Sequence, residues 1–274
     1  MHFVDAKGIL TGNGANCGMN IYRGCTHGCI YCDSRSKCYN FTHDFEDIIN
    51  DEEVQIVVEV MGGIEPARTF ILRCLNAGKS VVTANKDLIA VHGRELLEAA
   101  EANQVDFMYE ASCAGGIPII RPLKHCLLGN EVTEIMGIVN GTTNYILTKM
   151  FSFGDGFEES LLDAQKRGYA ESNPDADILG TDAARKITIL SALISEGLVN
   201  VSDVHTEGIT KIRKEDVQNA EKLGMKIKLL GRCISGEGGA HIMVAPFMIS
   251  AEEPLAGVLG VYNAVEVLGD PIDR

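Results

Sequence analysis

The 274-residue chain has no tryptophan, and aromatic side chains make up 6% of it. That leaves little for the stacking platforms that hold single-stranded nucleic acids. Positive charge is also short: 24 lysines and arginines stand against 38 aspartates and glutamates, a formal net charge of −14. Such a chain repels phosphate backbones, so no nucleic-acid partner is expected. No apolar run reaches the length of a membrane span, and no basic-then-apolar leader opens the chain. No membrane association is expected, and a cytoplasmic enzyme is the default. Fixed-period repeats and low-complexity tracts are lacking as well.

Hydrophobic residues are plentiful at 46%, enough for the core of one large domain or two smaller ones. The nine cysteines are unevenly spread: Cys17, Cys25, Cys29, Cys32 and Cys38 crowd the start, while Cys74, Cys113, Cys126 and Cys233 are scattered. In a reducing compartment they are expected free or metal-bound rather than paired. Within "YRGCTHGCIYCD", Cys25, Cys29 and Cys32 have C-x3-C-x2-C spacing, too tight for core cysteines and suggestive of a metal site.

Residues 1–43 show no periodicity and read as loop. From residue 45 the texture changes. "VQIVVEV" (54–60), "SVVTA" (80–84) and "VDFMYEA" (105–111) read as strands, and "EPARTFILRCLNAG" and "GRELLEAAEANQ" (93–104) as the helices between them. Strand–helix alternation with short turns is an α/β pattern on a parallel sheet. Beyond it, 117–129, 142–154, 157–168 and 182–197 read as helical. "EVTEIMGIVN" (131–140), "MKIKLLGRCIS", "HIMVAPFMIS" and "VYNAVEVLG" read as strands.

Three stretches carry candidate chemistry. "AQKRGYAESNPDADILGTDAARK" (164–186) holds Glu171, Asp175, Asp177, Asp182 and Lys186 around an Asn173-Pro174 turn. Asp182 and Lys186 are four apart and share a helix face, with Asp182 at the favoured N-terminal end. A surface turn N-capped by Asp182, with a helical ion pair, explains the spacing equally well. "VTANKDLIA" (82–90) sets Asn85 and Lys86 after a strand, where open α/β sheets bind ligands; an exposed loop charge is the plain alternative. "YEASCAGGIPII" (109–120) is a glycine-rich turn whose carbonyls, beside Glu110, suit a hard cation. Spacing alone favours a packing turn there.

Together with "VEVMGGIEPA" and "GIVNGTTNYILTKM", these stretches resemble the homoserine dehydrogenase family over about residues 48–270. The long acidic stretch fits the pattern A-x3-G…N-P-x2-D-I-x-G-x-D-x3-K at each fixed position from Ala164 to Lys186. The resemblance implies NAD- or NADP-linked interconversion of L-homoserine and L-aspartate 4-semialdehyde, in threonine, methionine and isoleucine biosynthesis. It implies Lys186 as acid/base and Lys86 as a second lysine near the nicotinamide. Glu171 and Asp182 would hold the substrate, and Asp177 is a fixed position of less certain role. Asn85 and Gly168 would meet the cofactor. Glu110, Cys113, Gly115 and Ile117 would hold a monovalent cation (Na or K), largely through carbonyls, with Cys113 in place of a usual valine. A homodimer is the implied state.

The fold expected is α/β: an incomplete Rossmann-like nucleotide-binding region (48–110) followed by an α+β catalytic and dimerisation domain (111–274). It is expected incomplete because the family's phosphate-binding glycine turn has only "GILTGNGANCG" (8–18) as a candidate, with Cys17 where the third glycine belongs. The chain also stops before the family's closing helix, so weak or absent activity is expected. Residues 1–47, "MNIYRGCTHGCIYCDSRSKCYNFTHDFEDI" above all, resemble the opening of radical S-adenosylmethionine proteins of the spore-photoproduct-lyase-like group. There Cys25, Cys29 and Cys32 would ligate a 4Fe–4S cluster. So short a piece cannot enclose a radical, and a metal-free tail is preferred to a cluster or to a zinc knot using Cys17 or Cys38. The simplest account is a junction of two unrelated genes near Asp47–Ile48, natural or from sequence assembly. The competing functions are therefore an iron–sulfur protein and a non-catalytic chimeric remnant.

Overall fold

A computed structural model of the chain describes residues 45–195, 199–236 and 239–271, with the backbone of 10–11 and 18–19. Gly12, Gly14, Cys17 and the candidate cluster ligands Cys25, Cys29 and Cys32 lie outside the described residues. Leu10–Thr11 (β1) and Gly18–Met19 (β2) pair antiparallel, Leu10 opposite Met19. A strand answered by a strand differs from the strand-to-helix order of a dinucleotide turn.

The chain divides into two compact units, 1–58 with 68–82 and 96–107, and 59–67 with 83–95 and 108–274. Phe45–Asn50 (α1) precedes the β-branched strand Ile56–Glu59 (β3). Ala67–Asn76 (α2), Ser80–Thr83 (β4), Lys86–Ala102 (α3) and Phe107–Met108 (β5) follow. The strands form a parallel three-stranded sheet in the order β3-β4-β5, with a helix in each crossover. Helix α2 buries Ala67, Ile71, Cys74 and Leu75, the spacing of one helical stripe. Gly78 follows it with φ +76°, the left-handed turn that ends a helix.

The expected β-strand over 105–111 is only two residues long, because Glu110–Ser112 turns into a 3-10 helix. Helix α3 begins at Lys86, seven residues before the expected start at 93. Asn85 is the reason: its Oδ1 accepts the Leu88 N–H at 3.1 Å, an N-cap in a stretch read as loop.

In the second unit, the expected helix over 117–129 is reduced to a π-helical turn at Pro122–Cys126. Strand Glu131–Ile138 (β6) leads into helix Gly141–Phe153 (α4), closed by left-handed Gly154, and Phe157–Lys166 (α5). Asp175–Ile178 (α6), Thr181–Ser191 (α7), His205–Thr206 (β7) and Lys214–Lys222 (α8) come next. Met225–Gly236 (β8), Gly239–Ser250 (β9) and Ala264–Asp270 (β10) complete the unit. The five strands are ordered β10-β6-β8-β9-β7, antiparallel except for β7 against β9. Helix α7 buries Ile187 and Leu190 completely, and its packing beside β8 and β9 fixes the face on which its polar residues lie.

Candidate active site

Asp182 is the second residue of α7, and Gly180 (φ +84°) rather than Asp182 occupies the N-cap. The helical ion pair expected at the surface is present but buried: Asp182 is 4% exposed. Its Oδ2 lies 2.8 Å from Lys186 Nζ, one turn on, and its Oδ1 lies 2.6 Å from Lys86 Nζ, at the start of α3. Both lysines and the aspartate belong to the second unit. Lys186 Nζ also donates to the Val139 carbonyl at 2.8 Å.

Burial alone would raise the Asp182 carboxyl, but the Lys186 charge, hydrogen bonds from both lysines and the Asn140 amide hold it below the usual carboxylate range. Burial likewise opposes the Lys86 ammonium. Its hydrogen bond to Asp182, with the charges of Asp182, Asp87 and Asp177, raises it above the ordinary lysine value. The two directions agree: at neutral pH the carboxylate is ionised and Lys86 is protonated. Two lysine side chains meeting on one carboxylate place N–H donors, one of them the charged Lys86, where an oxygen that gains negative charge during reaction can use them.

Asn140 is the residue that sequence reasoning missed. Its Oδ1 accepts the Thr143 N–H at 2.9 Å, capping α4, while its Nδ2 lies 2.7 Å from Asp177 Oδ1 and 2.9 Å from Asp182 Oδ2. One buried amide thus aligns two carboxylates from α6 and α7. The Asn-Gly-Thr-Thr run before a helix carries an N-cap signal, but nothing local shows what the other end of the amide meets.

The remaining candidates are placed as follows. Asn85 Nδ2 donates to the Gly63 carbonyl at 2.6 Å, so both ends of its side chain serve the protein's own backbone. Gly168 (φ +75°) follows α5, and Thr142 donates to the carbonyl of the next residue, Tyr169, at 2.6 Å. Glu171 is exposed on coil, its carbonyl accepting from Gln165 at 3.0 Å. The Glu110 carboxylate takes the N–H groups of Ile119, Ile120 and Arg121 at 2.6, 2.8 and 2.8 Å. Burial pushes the Cys113 thiol up to about 12, so it is no thiolate, and its Sγ lies 3.6 Å from the Lys186 carbonyl. Ala114 and Gly115 both take positive φ, 55° and 60°. This turn therefore presents neither a thiolate nor a carboxylate free of backbone partners.

Among the described residues, no group of three or more His, Cys, Asp or Glu is placed to hold a metal, and no helix is long and apolar enough to cross a membrane.

Two family models match the chain: "Homoserine dehydrogenase, NAD binding domain" over residues 33–110 and "Homoserine dehydrogenase" over 118–274. The first reaches back into the segment set apart at 1–47. A homoserine dehydrogenase of Synechocystis sp. is 48% identical over 237 residues, 85% of this chain and 55% of the relative. The crystal structure of one from Thiobacillus denitrificans superposes with a TM-score of 0.80 at 44% identity, covering 84% of this chain and 53% of that one. A hyperthermophilic archaeal homoserine dehydrogenase in complex with NADPH gives 0.73 at 29% identity, covering 85% and 67%. The chain spans about half the length of the curated relatives it matches. None of these comparisons supports the radical S-adenosylmethionine reading of the first segment.

Proposed function

We propose, for a chain that belongs to the homoserine dehydrogenase family, that it interconverts L-homoserine and L-aspartate 4-semialdehyde with NAD or NADP. The observation that carries the reading is the convergence of Lys86 and Lys186 on the buried carboxylate of Asp182. A bound nicotinamide nucleotide supplies or accepts the hydride. Lys186, held by Asp182 and the Val139 carbonyl, takes the proton of the substrate hydroxyl as the neutral amine in one direction and returns it as the ammonium in the other. Lys86 adds positive charge beside the same oxygen, and Asp182 holds the two lysine side chains together.

Glu171 meets the substrate's ammonium group, and Asp182, through the lysines it holds, serves the hydroxyl end. Asn140 keeps Asp177 and Asp182 in register. Asn85 acts on the cofactor side by shaping the backbone around it, and Gly168 by the turn that it makes. Glu110 orders the turn from which Cys113, Gly115 and Ile117 would offer carbonyls to Na or K. The family's usual homodimer is the proposed assembly, and the cytoplasm the proposed location.

The test is homoserine-dependent reduction of NADP and of NAD by the purified chain. Weak turnover is expected, and Lys186→Ala should lower it by about a thousandfold while the protein stays folded. Absence of turnover with either nucleotide, or turnover indifferent to Lys186, overturns the reading.

A further inference from the structure

One buried carboxylate lies outside the lysine cluster and is not used in the chemistry above. Glu59, at the carboxyl end of β3, is 4% exposed. Its Oε1 accepts the N–H groups of Met61 at 2.6 Å and Gly62 at 3.2 Å, and its Oε2 accepts the Thr83 hydroxyl at 2.6 Å. Thr83 Oγ1 in turn accepts the Asn85 N–H at 3.0 Å, and Asn85 Nδ2 returns to the Gly63 carbonyl at 2.6 Å. The ring is closed: carboxylate, hydroxyl, amide, and the glycine turn that the carboxylate itself caps. All of it lies in the second unit, with Lys86 the next residue after Asn85.

Gly62 and Gly63 both have φ +74°, and a Cβ on Gly62 would meet nothing within 4 Å. Gly62 therefore serves backbone conformation rather than close packing. Two successive left-handed residues are an adaptable turn, and the Glu59 carboxylate is what pins it. The ends of parallel strands are where open α/β sheets bind ligands, so the pinned turn and the first turn of α3 form one rigid piece at that position.

We propose that Glu59 is the positioning residue for Lys86, acting through Thr83 and Asn85. The inference rests on the dehydrogenase reading for its chemistry and on hydrogen-bond geometry for its placement. Its parts are local and oriented: the Glu59–Thr83 bond sets Thr83 to receive Asn85, and Asn85 caps the helix whose first residue reaches Asp182. Without the Thr83 hydroxyl, both the Asn85 N–H and Glu59 Oε2 lose a buried partner, and the start of α3 is free to shift.

The experiment compares native protein, Thr83→Val and Thr83→Ser. It follows the titration of the Lys86 ammonium by NMR of lysine-labelled chain, and kcat and KM for homoserine. Asp182, Asp87 and Asp177 are the charges that act on Lys86. Thr83→Val, nearly isosteric and suited to a strand, should fold, return the Lys86 titration toward that of an ordinary lysine, and lower kcat about tenfold with KM little changed. Thr83→Ser should restore both. Glu59→Gln, which turns one acceptor into a donor facing Thr83, gives the same reading independently. A folded Thr83→Val with native Lys86 titration overturns the inference even if the native chain is an active dehydrogenase. A shifted Lys86 signal in a chain without turnover keeps the positioning and removes the function.

Discussion

Lys86 and Lys228 lie in the same unit, and burial acts on both, yet their ammonium groups respond in opposite directions. Lys86 keeps 38% of its side chain exposed and pairs with Asp182 at 2.6 Å. Lys228 is 3% exposed and meets neutral acceptors, Asn144 Oδ1 at 2.8 Å and the Val258 carbonyl at 2.5 Å. Burial pulls both toward the neutral amine. Around Lys86 the carboxylates of Asp182, Asp87 and Asp177 reverse that pull. Around Lys228 burial is joined by the Lys226 charge, and the group is pushed down to about 8.

The partner decides the outcome more than the depth does. The difference also separates chemistry from scaffolding. Lys86 is partly exposed and shares Asp182 with a second lysine. Lys228 and Asn144 tie the segment from Val258 to Tyr262 to α4, with Asn144 Nδ2 at 3.2 and 3.1 Å from those two carbonyls. That segment abuts the start of α4, where a Cβ on Gly141 would lie 2.5 Å from the Val261 carbonyl.

The sharpest way to break this contrast is Asp182→Asn. It keeps the shape and removes the charge that reverses burial at Lys86, so Lys86 should titrate lower. Turnover should fall by about 10²–10⁴, and steady-state rates with homoserine measure it. Lys86 retains water contact, so the stability loss should be modest, about 1–3 kcal/mol in urea unfolding.

The converse variant, Lys228→Met, should cost a similar amount, about 1–3 kcal/mol, by leaving Asn144 Oδ1 unpaired and the Val258 carbonyl with Asn144 Nδ2 as its remaining donor. Lys86 titration should stay as in the native protein. A shifted Lys86 signal in that variant would join two clusters that the structure keeps apart.

The smallest effects are in pH, and the sign differs for each group. The folded Lys228 value, about 8, lies below the ordinary 10.5. Between these values the unfolded chain binds more protons, so this term raises stability as pH rises, and Lys228→Met should flatten the rise. Lys86 is raised, so its term is fully present below 10.5 and is lost only as pH climbs through its folded value. The depressed Asp182 stabilises above its ordinary 3.8 and loses that contribution as pH falls through its lower folded value. Unfolding curves at acid, neutral and alkaline pH separate the three, and Asp182→Asn should show a shallower acid loss than the native protein.

Much of the site was legible in particular residues. Asp182 and Lys186 share a helix face by spacing alone, and the ion pair follows from it. Lys86 was recognisable as the residue just beyond a strand end. Its place as the first residue of α3 was not, because the Asn85 cap looks like loop chemistry until its Leu88 donor is known. Helix α8 escaped because Lys214–Lys222 is polar apart from Val217 and Ala220, the two residues it buries. Lys228 sits in a run read simply as strand, where alternation gives no hint that its ammonium group is buried against carbonyls.

The sequence by itself determined the family, the alternation of strands and helices, and which charges share a face within one helix, since each depends on residues a few positions apart or on a long ordered pattern. Tertiary structure decided that Lys86 reaches Asp182, that Asn140 bridges Asp177 and Asp182, and that a half-buried and a fully buried lysine shift in opposite directions. Electrostatic and hydrogen-bond energies depend on distances of a few ångströms between segments far apart in the chain, and no local pattern of residues encodes those distances.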